Sequence, residues 1–258
     1  MNYIGIDIGS TCAKTVVLNG KKEIIQEFVQ PTGWSSVDTA EEIRQKLELA
    51  GINLSDDSSC CVATGYGRIS VPYADKAVTE ITCHALGAVH LFHQPDLTVI
   101  DIGGQDTKII QIEQGFVKDF IMNDKCAAGT GRFLEVMANT LSLRPNEMFD
   151  LARLGSDTTI SSMCTVFAES EVIGLIGKGE PKENIAYAVV NSTIRKVAAQ
   201  VSRMNGEMST FCLTGGLCEC EYIREALSKE LGKEVISCPD ARYAGAIGAA
   251  LSAMKIRK

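Results

Sequence analysis

Apolar residues fall along the chain in short runs that end in glycine turns. Tyr3–Ile8 is the first, a strand-like run ending in Asp7-Ile8-Gly9-Ser10-Thr11-Cys12-Ala13-Lys14. Thr15–Leu18 reads as a second strand, Asn19-Gly20 as a hairpin turn and Glu23–Val29 as the returning strand. The same order recurs 94 residues later. Leu97–Ile102 ends in Asp101-Ile102-Gly103-Gly104-Gln105-Asp106-Thr107-Lys108, followed by strand-like Ile109–Ile112, a turn at Glu113-Gln114-Gly115 and strand-like Phe116–Met122. Asp, Ile, Gly and Lys all repeat at that one offset, which predicts a duplicated module with two similar lobes.

Helical periodicity fills the intervals. Val37–Ala50 has helical spacing, with Ser36 as a candidate cap and Gly51 as a stop. Thr79–Phe92, Gly131–Leu141, Asn184–Met204, Cys220–Leu231 and Tyr243–Met254 are also predicted helical. Before the last two lies a third strand and glycine turn, Phe211-Cys212-Leu213-Thr214-Gly215-Gly216. Strands alternating with helices predict an α/β architecture.

Composition narrows the partners. The 258 residues carry 32 acids and 25 bases, a net charge of −7. Without a Lys/Arg cluster, that balance disfavours nucleic acid and anionic membrane as partners. The longest uncharged stretch, Ile81–Pro95, is shorter than the roughly 18 apolar residues a membrane span needs. The N-terminal residues show no secretory pattern, so a cytoplasmic location is expected. The ten cysteines then belong to a reducing compartment, as thiols, metal ligands or redox groups. None of them forms a CxxC pair.

The glycine turns are candidates for phosphate binding, because glycine lets backbone N–H groups approach an anion closely. No GxxxxGK[ST] is present, and no GxGxxG follows a strand. Two DIG turns and a TGG turn remain, and two such loops facing across a cleft would clamp a nucleoside triphosphate. Asp7 and Asp101, at the strand ends, would hold hydrated Mg²⁺ or orient the attacking water. Lys14 would neutralise phosphate charge.

These motifs, with Tyr243-Ala244-Gly245-Ala246-Ile247-Gly248-Ala249, resemble the phosphate, adenosine and connecting-helix motifs of the acetate and sugar kinase/Hsp70/actin superfamily. The resemblance covers nearly the whole chain. It implies a two-lobed actin-like (ribonuclease H-like) ATPase fold with duplicated mixed-sheet lobes. Residues 1–95 would form the first lobe and 96–242 the second. The last helix, about 243–258, is a candidate to pack back on the first lobe. By the same resemblance Gly9, Ser10, Thr11, Cys12, Ala13 and Lys14 contribute to one phosphate site. Gly103, Gly104 and Gln105 contribute to the other, with Gln105 placing water. Gly215 and Gly216 approach the adenosine.

Two further segments each set a cysteine before a predicted helix, Asn123–Glu135 with Cys126 and Met163–Val172 with Cys164. Helix N-termini favour thiolates and anionic clusters. Two thiolates per chain do not complete a [4Fe–4S] cluster, but two chains on a twofold axis do. The stretches resemble the activator ATPases (archerases) of 2-hydroxyacyl-CoA dehydratases and the ATPase subunits of benzoyl-CoA reductases. The resemblance implies that Cys126 and Cys164 bind one [4Fe–4S] cluster per homodimer, and that ATP and ADP with Mg²⁺ occupy each chain's cleft. It also implies an electron supply from ferredoxin or flavodoxin and a partner 2-hydroxyacyl-CoA dehydratase-like iron–sulfur enzyme. Two other functions compete: a small-molecule kinase of the same superfamily, and an actin-like or Hsp70-like assembly module. Within the favoured family, a benzoyl-CoA reductase or a double-cubane-type reductase is an alternative partner.

The remaining residues are read more plainly. The other eight cysteines are expected to pack, with Cys218 and Cys220 beside the TGG turn as the nearest rival to a ligand pair. His90 and His93 could share a helix face, with His84 away from them and no carboxylate nearby in sequence. Glu169 and Glu171 point in different directions on a helix and are read as surface or helix-start charges. Arg132 is a candidate contact to phosphate or to a neighbouring subunit, and Trp34 a candidate surface or interface residue.

Overall fold

The computed structural model describes residues 1–54, 58–161, 164–205 and 210–256. The chain forms two compact units. One comprises Met1–Leu97, Ile110–Lys118 and Asp240–Lys258; the other comprises Thr98–Ile109 and Asp119–Pro239.

The chain begins with β1 (Asn2–Ile8), β2 (Cys12–Leu18) and β3 (Ile24–Pro31). After α1 (Ser36–Leu49) come β4 (Ser59–Thr64) and the two-residue β5 (Lys76–Ala77), in a sheet of order β3-β2-β1-β4-β5. β1 pairs antiparallel with β2 and parallel with β4, so the sheet is mixed. Five of the seven β2 residues, all of β4 and the last five of β1 are buried, on both faces, hence their continuous apolar runs. β3 alternates and lies at the edge. Ser35, one residue before the expected cap, accepts the N–H of Asp38 and starts α1.

The first unit is closed by α2 (Glu80–Phe92) and the last helix, α8 (Ala244–Ile256). Their contact is close because neither carries bulk there. A Cβ on Gly248 would lie 1.7 Å from the Cys83 carbonyl oxygen, and one on Gly87 would lie 1.9 Å from that of Ala244. α8 also covers β1, where a Cβ on Gly5 would lie 1.9 Å from the Ala246 carbonyl oxygen, and β2, packing Ala246, Ile247 and Ala250 among Val16, Leu18 and Tyr243.

The second sheet repeats the first. β6 (Leu97–Ile102), β7 (Thr107–Glu113), β8 (Phe116–Asn123), β9 (Thr210–Gly215) and β10 (Val235–Ile236) lie in the order β10-β9-β6-β7-β8. Read in reverse, β6 to β10 take the places of β1 to β5. Between β8 and β9 run α3 (Gly131–Thr140), α4 (Pro145–Ala152), α5 (Thr165–Gly177) and α6 (Lys182–Val201), and α7 (Glu221–Leu231) precedes β10. The α/β class with duplicated mixed sheets is therefore the observed architecture. Among the described residues, no helix is long and apolar enough to cross a membrane.

Candidate functional site

In the first unit, Asp7 is the penultimate residue of β1. It is 5% exposed and lies opposite Lys14 in the register of β1 with β2. The turn beyond it is closed by Gly9 donating its N–H to the Cys12 carbonyl at 3.1 Å. Ser10, Thr11 and Cys12 are solvent-accessible to differing degrees, Ala13 is buried and Lys14 is half-buried. The Thr32 hydroxyl donates to the Gly9 carbonyl at 2.7 Å and steadies the turn from β3's end.

In the second unit the turn closes in the same way, at the same offset. Gly103 donates to the Asp106 carbonyl at 2.9 Å. Gly103 and Gly104 are half-buried and Gln105 is exposed. Asp101, 2% exposed, differs from Asp7 in its surroundings. The Thr214 hydroxyl donates to its Oδ1 at 2.8 Å, and Lys108 Nζ stands 3.3 Å from its Oδ2. Lys108 is itself buried and lies 2.8 Å from Asp106 Oδ2. Asp101 is thus held by a cation and a hydroxyl. The register-equivalent of Lys108, Lys14, makes no ion pair among the described residues.

A glycine lies over each aspartate. Gly215, at the end of β9, has φ +85°, and a Cβ there would lie 2.5 Å from the Ile102 carbonyl and 2.9 Å from Asp101 Oδ1. Gly65, after β4, has φ +82°, and its Cβ would lie 2.5 Å from both Asp7 Oδ1 and the Ile8 carbonyl. Gly216 is exposed and donates to the Ile102 carbonyl at 3.3 Å. Gly65 was missed from the sequence, although Thr64-Gly65 repeats Thr214-Gly215 at the end of the matching strand.

His84 was also missed as a neighbour of the first turn. It is 4% exposed on α2, and its Nε2 lies 3.9 Å from Asp7 Oδ2. A Cβ on Gly245 would meet both groups, at 2.5 Å from Asp7 Oδ2 and 2.9 Å from His84 Nε2. The fold, not the sequence spacing, brings the Asp7 carboxylate to His84. His90 and His93 stand with ring centroids 6.2 Å apart, His93 being the left-handed cap of α2. Among the described residues no three His, Cys, Asp or Glu side chains gather as a metal site.

The Cys126 segment is fastened to the second turn. Asn123 Nδ2 donates to the Cys126 carbonyl at 2.8 Å, and the Thr107 hydroxyl to the Gly129 carbonyl at 2.6 Å. The first amides of α3 then reach back: Gly131 donates to Gly103 O at 2.9 Å and Arg132 to Gly104 O at 2.8 Å. Cys126 is half-buried. Cys164 is exposed and is the N-cap residue of α5. Met163 lies outside the described residues. The Arg132 side chain pairs with Glu135 at 2.8 Å on an exposed surface. Glu169 accepts the Thr140 hydroxyl at 3.1 Å, Glu171 binds Ser161, and Trp34 is exposed.

The other cysteines sit differently. Cys60, Cys61, Cys83, Cys212 and Cys218 are buried. Burial pushes the Cys83 thiol up to about 12 and raises those of Cys61 and Cys212 further. Cys220, half-buried at the start of α7, is raised by the same cause.

A carboxylate at the end of a buried strand, a tight turn beyond it and a glycine over the carboxylate form one constellation, built twice. Its chemistry suits an anion such as phosphate, and the class of protein the chain belongs to is an α/β ATPase. Comparison with known proteins agrees: the chain belongs to the BadF/BadG/BcrA/BcrD ATPase family, matched over residues 4–253. The (R)-2-hydroxyglutaryl-CoA dehydratase activating ATPase of Acidaminococcus fermentans is 44% identical over 258 residues, covering 98% of this chain and 96% of the relative. The crystal structure of that organism's (R)-2-hydroxyglutaryl-CoA dehydratase component A is similar at a TM-score of 0.91 and 41% identity, over 100% of both chains. The activator of the 2-hydroxyisocaproyl-CoA dehydratase from Clostridium difficile, solved with bound ADPNP, is similar at 0.89 and 35% identity, over 99% of this chain and 95% of that one.

Proposed function

We propose that this chain is an ATP-hydrolysing activator that delivers single electrons to a partner 2-hydroxyacyl-CoA dehydratase-like iron–sulfur enzyme. The observation that carries this reading is the fastening of the Cys126 segment to a phosphate-type turn. Two backbone hydrogen bonds tie Gly131 and Arg132 to the carbonyls of Gly103 and Gly104. A change at the turn therefore moves the start of α3 and the segment just before it. The relatives named as dehydratase activators supply the partner's chemistry.

The turns at Gly9–Lys14 and Gly103–Gln105 offer backbone amides to the phosphates of ATP, with Gly215 and Gly216 near the adenosine. Asp7 suits a hydrated Mg²⁺ better than Asp101, because Lys108 already neutralises Asp101. Asp101 then fits the orientation of the attacking water, with the exposed Gln105 beside the same turn. Lys14 faces the phosphate charge. Hydrolysis consumes one water and releases ADP and phosphate.

Cys126 and Cys164 suit half of a [4Fe–4S] site. Both are accessible free thiols, and among the described residues the chain assembles no metal site by itself. Two chains together supply four thiolates, so the reading includes a homodimer. A cluster bound there would supply one-electron transfer. Ferredoxin or flavodoxin is the electron source, and the acidic chain works in the cytoplasm.

Oxygen-free purification followed by iron and sulfide counting tests this, with Cys126→Ser and Cys164→Ser beside the wild type. About four irons per two chains, lost in either variant, is the expected result. An iron-free wild type that hydrolyses ATP as well as both variants would overturn the electron-transfer reading.

A further inference from the structure

The second unit contains a cavity of about 420 Å³ that none of Asp101, Gly103, Gly104, Gln105, Thr214, Gly215 or Gly216 lines. One wall is the Ala128–Gly129 backbone and Phe133. The opposite wall is a face of α6 and the residues just after it. Ser192, Lys196, Gln200 and Arg203 follow each other at helical three- and four-residue spacing, with Arg195 beside them.

The lining is one-sided in charge. Arg195, Lys196 and Arg203 are cations, no lining residue is a carboxylate, and none of the three makes an ion pair among the described residues. Ser161, also in the lining, binds Glu171 through its amide at 3.1 Å. In a chain with net charge −7, three cations that line one cavity without an acidic partner among the described residues make it a place for an anion. Gln200 gives a second, independent sign. It is 4% exposed, and among the described residues neither its Oε1 nor its Nε2 has a hydrogen-bond partner. A buried amide left so carries a desolvation cost that a ligand's hydrogen bond removes.

We infer that this cavity binds a phosphate group, separately from the nucleotide. Guanidinium forks match phosphate oxygens in pairs, and a lysine adds a point charge. The Gln200 amide supplies a further donor. Three cations suit a dianion better than a single carboxylate. The group comes from free phosphate or from a small phosphate monoester. Bound there, it bridges α6 to the backbone just after Cys126, since Lys196 already packs on Gly129, where a Cβ would lie 2.9 Å from the Lys196 Cγ.

The test is calorimetric titration of the full-length, anaerobically purified protein with its nucleotide site filled by Mg²⁺ and ADPNP. Inorganic phosphate is one titrant and glycerol 3-phosphate the other. The expected result is one site per chain with sub-millimolar affinity for at least one probe. The double variant Arg195→Gln/Arg203→Gln, both positions exposed and safe for folding, should bind at least tenfold more weakly. Gln200→Leu should also bind more weakly while melting no lower than wild type. Tighter binding of phosphate assigns the site to the free anion, and tighter binding of glycerol 3-phosphate to a monoester. No heat from either probe with ADPNP bound, or unchanged affinity in the double variant, would overturn the inference.

Discussion

Gly131 donates its backbone N–H to the carbonyl of Gly103 at 2.9 Å, so the first turn of α3 begins on a glycine turn 28 residues earlier in the chain. The hydroxyl of Thr107, wholly buried at the start of β7, makes a parallel tie by donating to Gly129 O at 2.6 Å. Thr107→Val keeps the β-branched shape and removes that donor, leaving a buried carbonyl short of a partner. The expected cost is about 1–3 kcal/mol in urea denaturation. On the proposed function, ATP hydrolysis should stay within about threefold of wild type while partner activation per ATP falls by more. Equal losses in both assays would show that this bond does not couple them.

Lys108 sits between two buried carboxylates, 2.8 Å from Asp106 and 3.3 Å from Asp101. Lys108→Met fills a similar volume and leaves both aspartates without their cation. A loss of about 3–5 kcal/mol is expected, the usual cost of stripping one partner from a buried pair. Asp106→Asn in the Lys108→Met background should recover part of it, because one of the two uncompensated charges is gone. Denaturation midpoints of the three proteins check this. A single variant as stable as wild type would mean the pair contributes nothing to folding.

Gly245 separates stability from activity. An alanine Cβ there would lie 2.5 Å from Asp7 Oδ2 and 2.9 Å from His84 Nε2, so both groups must shift. The position is the second residue of α8, where alanine is the better helix former by about 1 kcal/mol. Gly245→Ala should therefore hold most of its melting temperature and lose at least tenfold in ATP hydrolysis, roughly 1.4 kcal/mol of barrier. An active variant would remove Asp7 from the hydrolytic machinery.

What the sequence showed and what it hid divide along physical lines. The repeat of Asp7-Ile8-Gly9 at Asp101-Ile102-Gly103 was legible because a strand end, a tight turn and a hairpin are local patterns, and the two sheets do share one strand order. Helix α2 was legible as the segment Thr79–Phe92, and Thr79 caps it through its side chain. Helix α4 was not, since its eight residues are too short to show a period, although Pro145 opens it and Glu147 closes its capping box. The two-residue strands β5 and β10 carry no pattern at all. His84 and Asp7 meet only because α2 packs close under α8, a contact made by Gly87, on the same helix as His84, and by Gly248, far from both in sequence. Lys108 was legible only as the repeat of Lys14 at the 94-residue offset, and its burial beside Asp101 and Asp106 shows it committed to an ion pair.

Thiol chemistry gives the last separation. Cys164 is exposed and Cys126 half-buried, whereas Cys61, Cys83 and Cys212 are buried and their thiols pushed up by burial, Cys83 to about 12. The reactive form is the thiolate, and a group titrating near 12 holds on the order of one part in ten thousand of it at pH 8. In metal-free, folded protein, timed alkylation with iodoacetamide at pH 8 should label Cys164 first and Cys126 next. Cys61, Cys83 and Cys212 should stay unlabelled until denaturant is added. Raising the pH should speed labelling of the buried three only as it approaches 12 or unfolds the chain. Reconstitution with iron and sulfide should then protect Cys126 and Cys164 together, if both hold the same cluster, and leave the slow labelling of the buried thiols unchanged. Mass spectrometry of the digested protein reads every site at once. Protection of Cys218 or Cys220 in place of Cys126 would move the cluster to the rival pair beside the third glycine turn.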